Sequence, residues 1–154
     1  MLRTSNEDED LVQAPGQFAH DLQIQLFNVN STNRVHQTAP VAHVRGGLPP
    51  RVVRRLREHI ESNIDQRIGV EALAKLANLS VCYFVRAFKQ SVGMTPHNYL
   101  IRRRVGRTME LLSGTDMPIS EIALAAGFAD QSHCARWFRQ HVGMSPREYR
   151  WSMR

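Results

Sequence analysis

The chain has 154 residues, 42% of them hydrophobic, which is room for one ordinary domain or two very small ones around a folded core. Its formal net charge of +6 is unevenly placed: residues 1–49 hold three arginines against five acidic residues, whereas 50–154 hold seventeen Lys/Arg against nine. No apolar run approaches a membrane span, the run Glu7 to Asp10 is acidic where a secretory signal would be basic and then apolar, and two cysteines and seven histidines without ligand spacing argue against a zinc site. These features predict a cytoplasmic chain with no membrane contact, no cofactor and no metal. Only Lys75 and Lys89 are lysines, and arginine's flat fork suits phosphate and the guanine edge, so the basic part points to a polyanion such as nucleic acid. Composition alone fits a plain solvated surface as readily.

Residues 1–48 form a largely irregular N-terminal segment by this reading. Leu22 to Val29 alternates polar and apolar residues as a strand would, but one strand cannot bury itself. Gly46, Gly47, Pro49 and Pro50 mark a boundary. From Pro50 the texture is helical. Val53, Leu56, Ile60 and Ile64 make an apolar stripe, with Arg54–Glu58 and Arg57–Glu61 spaced as i,i+4 pairs on the wet side.

Ile68 to Ala77 predicts a short helix and Asn78–Leu79 a turn. Ser80 predicts the N-cap of a helix running to about Ser91, which Gly93 ends. In that helix Phe84, Ala87, Phe88 and Val92 face inward, and Val81, Cys82, Val85, Arg86 and Lys89 face outward. Thr95–Pro96 opens a longer helix to about Leu112, lined on one side by Ile101, Val105, Thr108 and Leu112. Arg102, Arg103, Arg104 and Arg107 crowd between them, as a phosphate- or protein-facing surface or as solvated charge. Arg104 is also a candidate partner for a carboxylate.

A second unit repeats the first. Ile119 to Ala126 predicts a short helix, Gly127 the turn and Asp130 the next N-cap. Cys134, Phe138 and Val142 take the inward line; Gln131, Ser132, Ala135, Arg136 and Arg139 take the outward face. Shifted by fifty positions, Gly93-Met94-Thr95-Pro96 matches Gly143-Met144-Ser145-Pro146, and Arg86 matches Arg136. The fold class is therefore all-α: two helix-turn-helix subdomains (49–95 and 113–154) joined by a linker helix (96–112), about seven helices in all.

In such a plan the first helix of each unit buttresses and the second enters a DNA major groove. The expected base-contact residues are Val81, Cys82, Val85, Arg86, Gln131, Ser132, Ala135 and Arg136, with Ser80, Lys89 and Arg139 on phosphate. Arg86 and Arg136 are the candidates for forked contact to guanine. Two recognition helices on one face of double-stranded DNA must lie roughly 34 Å apart, which predicts binding as a monomer to an asymmetric site.

Leu73–Pro96 (LAKLANLSVCYFVRAFKQSVGMTP) and Ile119–Arg150 (ISEIALAAGFADQSHCARWFRQHVGMSPREYR), with Tyr99-Leu100, Arg104-Val105 and Leu111-Leu112 between them, resemble the DNA-binding domain of AraC/XylS-type transcription regulators. The resemblance covers about residues 50–152. It implies seven helices in two subdomains and a sequence-specific regulator, more often an activator that engages RNA polymerase. With only residues 1–48 upstream, the chain resembles a stand-alone or truncated member without a full ligand-binding domain. Three positions depart from the pattern. Cys134 replaces a large aromatic or aliphatic residue, a volume that Trp137 could refill. Thr108 replaces alanine, and Asn78 stands where glycine is common. The competing functions are a repressor or a low-specificity architectural DNA-binding protein. An enzyme is disfavoured, because neither cysteine has a base at readable spacing.

Overall fold

A computed structural model describes residues 46–153, so the strand expected at Leu22–Val29 lies outside the described residues. Seven helices follow one another: α1 (Pro50–Ser62), α2 (Val70–Leu76), α3 (Val81–Val92), α4 (Pro96–Gly114), α5 (Ile119–Ala125), α6 (Gln131–Val142) and α7 (Pro146–Ser152). No strand occurs among the described residues, and none of their helices is long and apolar enough to cross a membrane.

The helix ends follow local chemistry. Ser80, Thr95, Asp130 and Ser145 each accept a backbone N–H of the first turn, offsetting about 1 kcal/mol of unsatisfied donors apiece. Pro50, Pro96 and Pro146 occupy first-turn positions, where no N–H is missed. Gly93 and Gly143 close α3 and α6 in the left-handed conformation, at φ +84° and +83°.

Two cores form, one per subdomain. The first gathers Leu56 and Ile60 from α1, Leu73 and Ala74 from α2, Phe84, Ala87 and Phe88 from α3, and Tyr99 and Leu100 from α4. Leu48 joins it, and its backbone N–H donates to Ser91 Oγ at 2.7 Å. The second gathers Ile101, Val105, Met109 and Leu112 from α4 with Ile122, Ala123, Phe128, Cys134, Phe138, Val142 and Tyr149. Complete burial of Phe84, Phe88 and Phe138 contributes roughly 1.5–3 kcal/mol each. The division falls between Leu100 and Ile101, so α4 sends successive residues into different cores.

Several expectations change in three dimensions. Glu61 does not serve Arg57. It engages Arg103 of α4 in a two-pronged ion pair, Nε–Oε1 2.5 Å and Nη2–Oε2 2.8 Å, because a guanidinium fork and a carboxylate match edge to edge. Arg57 instead lies over the Tyr99 ring, 6.0 Å from its centroid. Arg104 has no carboxylate partner among the described residues. It is buried, and donates to the carbonyls of Ile64 (3.3 Å) and Gln66 (2.8 Å). Arg107 is exposed and pairs with Glu110 at 3.1 Å. The linker arginines are thus divided between tying α1 to α4 and ordinary surface pairing.

A candidate nucleic-acid interface

α3 and α6 are each the second helix of a helix-turn-helix pair, α2–α3 and α5–α6, and each is anchored by an inward aromatic line. Phe84 and Phe88 meet at 5.6 Å between centroids, and Phe88 meets Tyr99 edge-on at 5.7 Å. Phe138 meets Tyr149 in the same way at 5.4 Å. The aromatics pin the buried side, so the opposite side of each helix is left to water. On α3 that side carries Val81, Cys82, Arg86 and Lys89, all exposed, beside the cap Ser80. On α6 it carries Gln131, Ser132, Arg136 and Arg139, also exposed. Val85 and Ala135 differ from expectation. Both are half-buried, and Val85 packs against the first core, because each lies on the flank of its helix nearer the aromatic line.

Sequence reasoning passed over Tyr83, which is 45% exposed, and Gln140, one turn beyond Arg136 on the same side. The repeat could have found the second, since Gln90 and Gln140 correspond under the same fifty-position shift as Arg86 and Arg136.

The charge is one-sided. Neither α3 nor α6 contains a carboxylate; beside them stand the α6 cap Asp130, which is engaged with the His133 N–H at 2.7 Å, and Glu148 of α7, which caps its own helix and feels the Arg139 charge. Arg86, Lys89, Arg136 and Arg139 therefore face solvent without an acid on their own helix to neutralise them. Such a surface favours an anionic backbone and offers forked donors to base edges. The Ser80 oxygen accepts the Tyr83 N–H at 3.4 Å, and its hydroxyl also carries a hydrogen to donate.

Trp137 occupies the flank of α6 that faces the start of α4. Its Nε1 donates to His133 Nε2 at 2.9 Å, and its ring lies 6.1 Å from that of His97 and 5.8 Å from that of His141. Arg136 Cζ sits 6.0 Å from the same ring, a distance at which an aromatic face steadies a guanidinium. Trp137 is half-buried and packs against the core that holds Cys134. The group against Cys134 is Thr108, whose Oγ1 lies 3.8 Å from Sγ. Burial pushes the Cys134 thiol above its ordinary range, with the Thr108 contact as the smaller, opposing effect.

A short buttressing helix, a left-handed turn and a second helix with an arginine face, present twice, define a tandem helix-turn-helix DNA-binding protein. The family comparison agrees. A model described as a helix-turn-helix domain matches residues 73–152, more than half of the chain. The chain belongs to the AraC-type family of helix-turn-helix regulators, a class of DNA-binding proteins and not of enzymes. It is 32% identical over 122 residues to the melibiose operon regulatory protein of Escherichia coli, covering 79% of this chain and 39% of that protein. It is 37% identical over 91 residues to the transcriptional activator RhaS of Escherichia fergusonii, covering 59% of this chain and 33% of that one. The chain thus spans well under half the length of these relatives.

Among solved structures it resembles the DNA-binding domain of the global transcriptional factor AdpA in complex with a target DNA. That likeness has a TM-score of 0.63 at 29% identity, over 65% of this chain and 90% of that one. It also resembles the C-terminal domain of AraT, a response regulator of Geobacillus stearothermophilus. There the TM-score is 0.64 at 34% identity, over 68% and 87% of the two chains.

Proposed function

We propose that this protein is a cytoplasmic, sequence-specific transcription regulator that places α3 and α6 in successive major grooves of one DNA duplex as a monomer. The observation that carries this reading is the pair Arg86 and Arg136. They stand at equivalent positions of the two units, exposed, on helices without a carboxylate. Each guanidinium reads guanine through its fork, a contact worth on the order of 1–3 kcal/mol of discrimination. Cys82 and Val81 offer apolar contact, as to a thymine methyl, and Ser132 and Gln131 offer hydrogen bonds. Ser80, Lys89 and Arg139 hold phosphate. The regulator acts as an activator, a reading supported by its similarity to the transcriptional activator RhaS, and does so through contact with RNA polymerase.

Selection of bound sites from a random duplex pool at near-physiological salt tests the proposal. The expected product is an asymmetric motif with two base clusters about one helical turn apart. Arg136→Ala should then relax preference in one cluster only. An equal loss across all sequences would assign Arg136 to phosphate. The second reading, a low-specificity architectural binder, draws on α3, whose outward face offers Val81 and Cys82 where α6 offers Gln131 and Ser132. It predicts no motif and binding that collapses as salt rises.

A further inference from the structure

The two cores share no buried residue, so the angle between the subdomains depends on α4 and on what crosses beside it. Three groups meet there. The loop after α1 presents the carbonyls of Ile64 and Gln66. Arg104, from the middle of α4, reaches both with its guanidinium at 3.3 and 2.8 Å, and is only 9% exposed. Gly127, the turn of the second unit, completes the contact. A Cβ there would stand 2.0 Å from the Ile64 oxygen and 2.7 Å from Arg104 Nε. The Ile64 oxygen belongs to backbone and cannot step aside.

The first unit shows what this contact adds. Its turn residue, Asn78, adopts the same left-handed conformation at φ +57° but is exposed. The turn itself therefore tolerates a side chain. What the second turn does not tolerate is any atom between it and the first subdomain.

We infer that the junction of Arg104, Ile64, Gln66 and Gly127 is a positioning device that sets the separation and angle of α3 and α6, and so selects the spacing between the two base clusters the protein accepts. The inference rests on the reading that both helices enter DNA. A single inserted base pair moves one cluster about 3.4 Å along the axis and about a tenth of a turn around it. A rigid clamp cannot follow both displacements. A loosened one can, because the loop after α1 would no longer be held to α4 beside Gly127. Arg104 touches no base in this account. It positions the residues that do.

The test uses two readouts on the full chain. Nitroxides on Cys82 and on position 140 after Gln140→Cys report the α3–α6 distance without DNA; Cys134 is buried and stays unlabelled. The junction predicts a narrow distance distribution in the native protein and a broadened or shifted one in Arg104→Ala. In parallel, duplexes carrying the selected motif with one base pair inserted or deleted between clusters are titrated. The native protein should lose roughly tenfold in affinity per step, as for a mismatched pair, and Arg104→Ala should flatten that loss to about twofold.

An unchanged distance distribution overturns the junction. A broadened distribution with an unchanged spacing profile overturns its role in specificity. Should the native protein select no motif, the DNA reading fails, and the distance measurement alone decides whether the junction holds the subdomains. If Arg104→Ala does not fold, Arg104→Lys keeps the stem and charge but loses the fork, and both readouts apply to it unchanged.

Discussion

Thr108 Oγ1 and Cys134 Sγ lie 3.8 Å apart in the second core, so two positions at which the chain departs from the AraC-type pattern are neighbours. Both are fully buried. A smaller residue on α6 is met by a larger one on α4, which makes up part of the volume. The Thr108 hydroxyl also reaches the Arg104 carbonyl at 2.9 Å. Hydroxyl and thiol each carry a hydrogen and lone pairs, so the contact between them can be bridged from either side.

This pairing predicts non-additive energetics. Cys134→Leu alone should overpack the site and cost about 1–3 kcal/mol. Thr108→Ala alone should leave a cavity, at about 1 kcal/mol or somewhat more. Together they should recover most of the loss, with a coupling of at least about 1 kcal/mol. Urea denaturation of the four proteins measures it, and strict additivity would sink the idea of compensation.

The two cysteines should separate by accessibility. Cys82 is exposed on the outward side of α3 and Cys134 is buried. A thiol reagent should modify Cys82 alone in the folded protein. Cognate duplex should slow that reaction markedly if α3 enters the groove. Equal rates with and without DNA would remove α3 from the interface.

The last helix should be sensitive to acid. Glu148 accepts the Ser145 N–H at 2.7 Å while Ser145 Oγ accepts the Glu148 N–H at 3.2 Å. The hydrogen bonds from the Ser145 backbone and side chain, with a smaller contribution from the Arg139 charge, hold the Glu148 carboxyl below its usual range. A depressed carboxyl stabilises the fold above its unfolded value of about 4.3 and loses that contribution as pH falls through the depressed value. Protection of the α7 amides, measured against their intrinsic exchange rates, should therefore fall below about pH 4.3 in the native protein. Glu148→Gln should show no such acid step at this cap.

Alkaline behaviour has the opposite sign. Burial raises the Cys134 thiol, and it raises the Tyr99 and Tyr149 hydroxyls as well. A raised group contributes stability that is whole below its unfolded value and is lost as pH rises through its folded value. Melting temperature should start to fall above about pH 8.5, the ordinary thiol value, and fall further above about 10. Cys134→Ala should remove the first decline and leave the second, as thermal melts between neutral pH and pH 11 would show.

The two turns should respond differently to one substitution. Asn78 already carries a Cβ, so Asn78→Ala loses only asparagine's tolerance of the left-handed region, about 1 kcal/mol or less. Gly127→Ala adds a left-handed Cβ and its collision with Ile64 O, and should cost on the order of 3 kcal/mol or more. Equal losses by chemical denaturation would mean that the first subdomain does not press on the second turn.

What the sequence determined by itself was everything carried by near neighbours. Helical periodicity marked the stripe of α1 and the inward aromatic lines. Caps at Ser80, Thr95, Asp130 and Ser145 marked the starts, and the repeat placed Arg86 and Arg136 in equivalent positions. These signals are local because a cap reaches three residues and a helix face recurs every three or four. The same rules mislaid Val85 and Ala135, whose half-burial depends on how far each helix is rolled against its core. What only the tertiary structure decided spans longer separations. Glu61 finds Arg103, Arg104 finds the Ile64 and Gln66 carbonyls, Thr108 finds Cys134, and Gly127 meets Ile64. A carboxylate at i+4 and one brought in from another helix look alike in a linear chain. Which of them an arginine takes is settled when α4 carries both cores on its sides and the desolvated fork must find partners at the distance and angle the packed helices allow.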